Sequence, residues 1–481
     1  MGSNFARDVV AAAPPDAEAL ITIDAAGRRQ AWSFGALDDR SARLAGTLTA
    51  RGVQRGDVVM TVVGNRVEWV VTMVACFRIG AVVLPCTEQL RAKDLRVRFD
   101  MADPHLVVAD ERDLAELEAA GAGVEVLVVP DESLFDAEPA EPVDLDPDDP
   151  ALVIFTSGTS GTPKAVVHGQ RYLAGQALQG EHWLDARPGD LVWCTAAAGW
   201  SKSARNTFIA PWLRGARALL HDGRFDPAER LDIIDREEVT VLCMAPTEYR
   251  VIARRAGLRP LPSLRGAVAA GEALDAGVIS QWQEATGISI RDGYGQTETG
   301  AVTGMRPGEP ARPGSMGRPL PGVRIEIRGG QLHVDPATVP TFFSRYVGEG
   351  PHRGWWPTGD LVDEDDEGFL WFRGRADDVI VSAGYRIDPA EVEAALMSHA
   401  AVADAAVVPE PDAERGSVVR AVLVLNAGHE GTDELRRQLQ HHVKAQTAPY
   451  KYPRVVDFAA DLPRTASGKL RRSAVRSGGT R

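Results

Sequence analysis

Residues 151–164 read ALVIFTSGTSGTPK. The first five are all apolar, which predicts a short strand buried on both faces. The next nine combine hydroxyl side chains with two flexible glycines and a terminal lysine: Thr156, Ser157, Gly158, Thr159, Ser160, Gly161, Thr162, Pro163 and Lys164. Backbone N–H groups and hydroxyls in such a loop can surround phosphates. The spacing is not that of the Walker loop, because no G-x-x-x-x-G-K-[ST] run is present.

Helix-like segments alternate with short Val-rich runs on both sides of this loop. The predicted strands are 57–63, 81–84, 105–108, 241–245 and 266–270. This alternation predicts βαβ units around a parallel sheet. After about residue 377 the pattern changes to a small α+β unit with strands at 402–408 and 418–425 and helices starting after Asp388 and at about 432.

The composition is that of a folded globular protein, with 44% hydrophobic and 25% charged residues over 481 positions. Lys plus Arg total 53 against 67 for Asp plus Glu, a net charge of −14 that disfavours broad binding to nucleic acid or anionic membranes. The four cysteines, scattered in or beside apolar runs, favour buried thiols in a reducing compartment. With no secretory signal pattern and no clean apolar span, we expect a cytoplasmic protein without stable membrane insertion.

Further motifs follow the loop along the chain: DGYGQTE (292–298), PTGD (357–360), GRADD (374–378), GYR (384–386) and SGK (467–469). With them the sequence resembles the superfamily of adenylate-forming enzymes, which includes acyl-CoA synthetases, peptide synthetase adenylation domains and luciferase. Segments 4–8, 411–416 and 447–454 look most like the medium-chain acyl-CoA synthetases. The resemblance covers about residues 30 to 475.

The resemblance implies an α/β fold. A large N-terminal region of αβαβα-type parallel-sheet subdomains plus a β-rich part, residues 1–376, would bind ATP and the acyl group. A small mobile α+β domain, residues 377–481, would carry the catalytic lysine. The hinge between them is then expected at Asp377.

Residue roles in the first half-reaction follow from the same resemblance. Lys469 would bridge the substrate carboxylate and the α-phosphate, Glu298 would bind Mg²⁺, and Thr297 would donate to the α-phosphate. The predicted adenine and ribose contacts are Gly271, Glu272, Ala273, Asp292, Gly293, Tyr294, Gly295, Gln296, Asp360 and Arg375. Of these, Asp360 suits the two ribose hydroxyls, because a carboxylate can accept both protons.

The remaining predicted sites bind CoA and the acyl group. The CoA residues are Gln89, Ala383, Gly384, Tyr385, Arg386, Arg415 and Lys444, with Gly384 leaving room for the pantetheine arm. The acyl pocket is assigned to Trp200, Lys202 and Gly295, where a glycine in place of a tryptophan would open space. Because Lys202 and Arg205 are charged, a polar or aromatic acid is also a possible substrate. His168 is expected to be a solvated loop residue.

The predicted function is an ATP- and Mg²⁺-dependent acid:CoA ligase acting through an acyl adenylate on medium-chain or aromatic acids. Its partners would be the acid, ATP and CoA, and the protein would be a monomer or homodimer. Two alternatives remain open: an enzyme that loads the acyl group on a carrier protein, and a non-catalytic AMP- or acyl-binding regulator.

Overall fold

The computed structural model describes residues 2–121, 123–156, 163–271, 274, 276–309, 312–376, 378–382, 385–412, 415–464 and 470–478. Its α-helices are α1 Phe34–Ala50, α2 Val67–Ile79, α3 Ala92–Ala102, α4 Leu114–Ala120, α5 Arg171–His182, α6 Ala210–Leu213, α7 Pro227–Arg236, α8 Pro246–Arg255, α9 Ala276–Thr286, α10 Pro389–Met397, α11 Asp433–Gln446 and α12 Arg472–Arg476. Shorter helical turns are Ala6–Val10, Glu111–Asp113, Glu132–Phe135, Arg205–Ile209, Pro336–Thr338 and Pro449–Lys451.

The strands are β1 Glu18–Ile23, β2 Arg29–Ser33, β3 Val58–Val62, β4 Val82–Cys86, β5 Leu106–Asp110, β6 Glu125–Val129, β7 Pro150–Thr156, β8 Lys164–Gly169, β9 Leu191–Cys194, β10 Arg217–His221, β11 Val241–Met244, β12 Gly266–Ala270, β13 Ile290–Gln296, β14 Gly300–Gly304, β15 Arg318–Pro319, β16 Ile325–Arg328, β17 Gln331–Val334, β18 Arg345–Tyr346, β19 Trp356–Glu364, β20 Leu370–Arg375, β21 Ile380–Ser382, β22 Tyr385–Ile387, β23 Val402–Asp412, β24 Gly416–Leu425 and β25 Val455–Phe458.

The chain divides into two compact units. Unit 1 comprises residues 1–156, 163–324 and 335–356, and unit 2 comprises residues 157–162, 325–334 and 357–481. Unit 2 therefore includes 325–334 and 357–376, which we had predicted to belong with the N-terminal region. The boundary at 377 was implied by the family resemblance as the position of a hinge, and it stays a proposal about movement.

Unit 1 contains two large sheets. In the seven-stranded sheet, ordered β18-β8-β7-β4-β3-β5-β6, the strands from β7 to β6 are parallel, and β8 and β18 are added antiparallel. The nine-stranded sheet is ordered β15-β14-β13-β12-β11-β9-β10-β1-β2, with a parallel centre from β13 to β1. The predicted parallel α/β architecture is thus confirmed, and antiparallel strands occupy the edges.

Helix α2 shows why this unit has a large core. Almost every residue in VEWVVTMVACFRI is apolar, so the helix is buried all round rather than on one face. Trp69 packs edge-on against Phe208 with ring centroids 5.7 Å apart. Gly80 ends the helix in the left-handed conformation, which returns the chain directly into β4.

Unit 2 is smaller and rich in strands. A four-stranded sheet, β16-β17-β19-β20, precedes the hairpin β21-β22 and the three-stranded sheet β23-β24-β25. Asp388 caps α10 by accepting a hydrogen bond from the Ala390 N–H. Helix α11 buries Leu435, Leu439 and Val443, one per turn along one face.

Among the described residues, no helix combines the length and the apolar character that crossing a bilayer requires.

Candidate active site

The ends of the predicted phosphate-binding loop lie side by side in unit 1. Thr156 ends β7, Lys164 begins β8, and the two residues pair across the antiparallel ladder. Pro163 immediately precedes Lys164. Ser157, Gly158, Thr159, Ser160, Gly161 and Thr162 lie outside the described residues, so their predicted phosphate contacts stay predictions.

Three side chains form a connected group beside the start of β8. The phenol of Tyr346 donates a 2.8 Å hydrogen bond to Oε1 of Glu298. The ammonium of Lys164 lies 4.7 Å from the centroid of the same tyrosine ring, a cation–π distance. Burial and the Glu298 carboxylate both raise the pKa of Tyr346, so the phenol remains protonated as a donor. The group thus presents an oriented carboxylate and an ammonium close to the loop.

The turn that carries Thr297 and Glu298 is held by the segment before β19. Thr341 donates a 2.6 Å hydrogen bond to the Thr299 carbonyl, and the Phe343 N–H donates one of 2.8 Å to the Glu298 carbonyl. Trp356 donates through its indole N–H to Oε1 of Gln296 at 3.0 Å. The Thr297 hydroxyl and the Glu298 carboxylate, which are predicted to act in catalysis, therefore lie on a turn held in place by hydrogen bonds from residues 341–356.

The predicted adenine strips lie on neighbouring parallel strands. Asp292 and Gly293 of β13 pair with Ala269 and Ala270 of β12, and Gly271 follows directly after β12. A side chain at Gly293 would meet the Trp183 indole nitrogen at 2.5 Å, so glycine permits this packing. Tyr294 is half-buried at the end of β13. Glu272 and Ala273 are outside the described residues.

Lys202 lies next to this strip. Its Nζ donates to the Ala270 carbonyl at 3.3 Å and would lie 3.7 Å from a Cβ added at Gly271. We had assigned Lys202 to the acyl pocket alone, and the structure places its ammonium against the predicted adenine strip.

The role expected for Gly295 needs correction. A Cβ at this position would collide with the carbonyl oxygen of Gly300 and would lie 2.8 Å from the Cα of Ala301. The absence of a side chain therefore lets β14 approach β13 closely, at the register shift between Tyr294 and Gly295. The space predicted behind Gly295 is filled by backbone.

Trp200 and Gln89 occupy one region of unit 1. Gly199 adopts φ +92°, and a Cβ there would collide with the backbone of Cys86 and Thr87 at the end of β4. Gln89 follows two residues later, with its N–H 3.4 Å from Oγ1 of Thr87. Trp200 itself is half-buried.

His168 was predicted to be a solvated loop residue, and this prediction is wrong. It lies within β8, is fully buried, and has its ring centroid 4.0 Å from that of Tyr172. Burial, followed by the nearby Arg205, lowers the pKa of His168 to about 3. The imidazole is therefore neutral at pH 7.

The two predicted ribose contacts form an ion pair within unit 2. Arg375 donates from Nη1 to Oδ1 of Asp360 and to the Thr358 carbonyl, each at 3.0 Å. The residues pair across β19 and β20, and Gly359, at φ +76°, leaves space for the guanidinium. Asp360 is buried, so the arginine orients the carboxylate and balances its charge.

The predicted CoA residues of unit 2 are only partly described. Tyr385 is exposed and stacks on Tyr450 at 4.3 Å, and the Lys444 ammonium lies 3.9 Å from the centroid of the Tyr452 ring. Arg415 is exposed at the end of the β23-β24 hairpin. The side chain of Arg386 is outside the described part, as are Ala383, Gly384, the predicted hinge residue Asp377 and Lys469.

Comparisons with known proteins identify the family. The model of the family described as AMP-binding enzyme matches residues 7–340, and that of the AMP-binding enzyme C-terminal domain matches residues 391–469. The chain belongs to the AMP-binding enzyme family.

Relatives of this AMP-binding enzyme extend along almost the whole chain. It is 37% identical to the uncharacterized acyl–CoA ligase YtcI of Bacillus subtilis, over 95% of this chain and 92% of that protein. It is also 37% identical to the mitochondrial acyl-coenzyme A synthetase ACSM4 of Rattus norvegicus, over 98% and 90%. The crystal structure of ATP-bound MatB from Rhodopseudomonas palustris superposes with a TM-score of 0.88 at 27% identity, covering 100% of this chain and 99% of that one. The predicted fold class, family and AMP-forming acid:CoA ligase activity are confirmed.

Sequence reasoning missed two residues that contact the predicted site of this AMP-binding enzyme. Tyr346 and Trp356 contact Glu298 and Gln296, yet they follow those residues by 48 and 60 positions. Neither lies in a glycine-rich or charged motif that would indicate a function. The one available signal was the aromatic density of segment 342–356, which is equally typical of an ordinary core.

Proposed function

We propose that this AMP-binding enzyme forms the acyl adenylate at the turn carrying Thr297 and Glu298, with Mg²⁺ bound by Glu298. The hydrogen bond from Tyr346 to Glu298 supports this most directly. It orients the carboxylate, and an oriented carboxylate oxygen suits a hard cation. Because Glu298 is a single carboxylate, the other Mg²⁺ ligands would come from nucleotide phosphates and water. When bound, the ion would screen the charge of the triphosphate.

Residues of this chain would offset the negative charge that accumulates in the first half-reaction. The substrate carboxylate attacks the α-phosphate of ATP and pyrophosphate leaves, so two anions must approach each other. Lys469 would offset this repulsion, and Thr297 would donate a hydrogen bond where negative charge grows on the α-phosphate. Asp360, oriented by Arg375, would accept the ribose hydroxyls and position the nucleotide.

The second half-reaction transfers the acyl group to a thiol. We propose that CoA, rather than a carrier protein, supplies that thiol. The cations and aromatic rings of this unit suit a nucleotide that carries phosphates: Arg415 is exposed, Tyr385 stacks on Tyr450, and the Lys444 ammonium lies over the Tyr452 ring. A carrier protein would not require binding groups for a nucleotide 3′-phosphate.

Substrate class and location are also proposals. Medium-chain or aromatic acids fit a site with the Trp200 ring at its border. A cytoplasmic location fits the four cysteines, all buried and free. A monomer or homodimer is the expected assembly.

The decisive experiment measures pyrophosphate release and acyl-CoA formation from ATP, Mg²⁺ and acids from acetate to dodecanoate plus benzoate, each with and without CoA. We expect acyl-CoA from at least one acid and pyrophosphate only when ATP is present. Pyrophosphate without acyl-CoA would instead support the carrier-loading alternative. No product from this panel or from dicarboxylic acids of matched length would favour the non-catalytic regulator.

The Lys469→Ala variant tests the assignment of the catalytic lysine. Adenylation should fall by at least about 100-fold, because the approaching anions lose their counter-charge. Acyl-CoA formation from supplied acyl adenylate should change little. Adenylation within tenfold of wild type would show that another residue has this role.

A further inference from the structure

A buried polar cluster lies in unit 1 outside the residues assigned above. The Arg205 cluster consists of His168, Tyr172, Gln176, Arg205 and Thr207, contributed by β8, α5 and the helical turn Arg205–Ile209. Arg205 is 7% exposed, and the other four are at most 1% exposed. All five belong to side-chain types that are usually exposed or hydrogen-bonded in folded proteins.

The cluster's polar atoms have few partners within the described chain. Those buried without a hydrogen bond are Nε and Nη1 of Arg205, both ring nitrogens of His168, both amide atoms of Gln176, the Tyr172 hydroxyl and Oγ1 of Thr207. Buried polar atoms are normally satisfied by protein or ordered water. So many together indicate a site that a polar ligand completes.

The positive charge of Arg205 indicates which charge that ligand carries. Two other arginines in the described chain are equally buried, and each has a carboxylate: Arg78 pairs with Asp38, and Arg230 lies 3.6 Å from Glu248. Arg205 has no carboxylate within 4.0 Å among the described residues. A buried guanidinium without a counter-ion is strongly destabilising, and water does not neutralise it. The missing partner is therefore an anion.

The cluster adjoins the catalytic turn and the predicted acyl residues. Residues 343 and 344 connect the two, because the Phe343 N–H donates to the Glu298 carbonyl and the Ser344 N–H to the Val167 carbonyl beside His168, each at 2.8 Å. Arg205 follows Lys202 by one turn, and Lys202 contacts the end of β12. The reacting carboxylate loses its negative charge when it is joined to AMP, so it cannot neutralise Arg205 through both half-reactions. A second anionic group on the acid would remain charged throughout.

We propose that the acid substrate is a dicarboxylic acid whose distal carboxylate binds Arg205, with Tyr172 and Gln176 as further donors. This inference rests on the proposed function, since it specifies the acid that the ligase activates. A carboxylate against the guanidinium supplies the counter-charge and accepts from an orphaned Arg205 nitrogen, which selects for a charge at the far end of the substrate.

The test compares acids matched in length, from butanedioate to decanedioate against butanoate to decanoate. For wild type, kcat/KM for the best diacid should exceed that for its monoacid partner by at least about 100-fold. Arg205→Met should lower this ratio by a similar factor, and Arg205→Lys should restore part of it. Arg78→Met, the matched loss of a buried but paired arginine, should leave the ratio unchanged. Because each ratio is measured within one protein preparation, partial loss of folding does not affect it.

The outcomes separate this inference from the proposed function. Acyl-CoA from monoacids with equal or lower rates for every diacid would overturn the inference and leave the ligase intact. If no acid reacts, calorimetric titration of the full chain with the same diacids measures whether a diacid binds at Arg205. Binding that Arg205→Met abolishes would support the anion site without the ligase, and no diacid binding would overturn it.

Discussion

At the level of single residues, the orientation of Glu298 depends on the phenol of Tyr346. We predict that Tyr346→Phe slows adenylation about tenfold, the usual effect of losing a hydrogen bond to a charged group. It should also raise the Mg²⁺ concentration that gives half-maximal rate, because the carboxylate is no longer positioned. Initial rates of pyrophosphate release over a Mg²⁺ titration measure both effects.

Tyr249→Phe is a suitable control for this variant. Its hydroxyl also donates a hydrogen bond, but to the Val268 carbonyl in the core at 3.1 Å. It should lower stability without altering the Mg²⁺ dependence. Equal Mg²⁺ dependence in Tyr346→Phe and wild type would show that Glu298 needs no support from Tyr346.

At the level of elements, the hairpin β13-β14 depends on the missing side chain at Gly295. We predict that Gly295→Ala destabilises the protein by about 1–3 kcal/mol, because the new methyl group would meet the backbone of β14. The adjoining catalytic turn would shift with the hairpin, so adenylation should fall as well. Thermal unfolding and pyrophosphate release measure the two effects.

Gly350→Ala provides the comparison, because a Cβ at Gly350 meets nothing within 4 Å. It should change neither stability nor activity appreciably. If Gly295→Ala were equally neutral for stability and narrowed the range of acids to shorter ones, the original assignment of Gly295 to open pocket space would be restored.

The helical turn Glu111–Asp113 lies in a carboxylate-rich cluster. Burial, then the Glu88 carboxylate, raises the pKa of Asp113 to about 7, with Arg112 opposing and Asp110 and Asp222 adding to the rise. An acid whose folded pKa exceeds its unfolded value binds its proton more tightly when folded, so its contribution to stability declines between about pH 4 and 7. Asp113→Asn should therefore raise the melting temperature by a few degrees at pH 8 and little at pH 4.

Melting temperatures at both pH values, compared with the exposed Asp366→Asn, test this prediction. An equal effect of Asp113→Asn at pH 4 and pH 8 would mean that Asp113 titrates normally in the folded protein.

At the level of the whole molecule, two compact units share the predicted site residues: Thr297 and Glu298 lie in unit 1, and Asp360 and Arg375 in unit 2. If movement at Asp377 separates the two half-reactions, Asp377→Pro should block one of them, because proline fixes φ near −65°. We predict that acyl-CoA formation from supplied acyl adenylate falls at least about 100-fold, while adenylation stays within about threefold.

Single-turnover assays of each half-reaction make the measurement, with Asp377→Ala as the control that keeps backbone freedom. Equal slowing of both half-reactions in Asp377→Pro would place the hinge elsewhere.

Much of the fold could be predicted from local patterns. The all-apolar run at 151–155 became β7, the Val-rich segments became parallel strands, and Asp388 and Thr432 cap helices α10 and α11. These features depend on residues close together in the chain. Each motif is also a short run of neighbouring residues, so the motifs and their order identified the family and its chemistry.

What the sequence could not supply depends on contacts between distant segments. The partnership of Tyr346 with Glu298, the collision that explains Gly295, and the burial of His168 and Arg205 all arise where separate strands and helices pack together. A histidine has the same neighbours in the chain whether β8 is covered or exposed. Burial, charge pairing and pKa are set by the tertiary environment, so these properties were decided only when the chain folded.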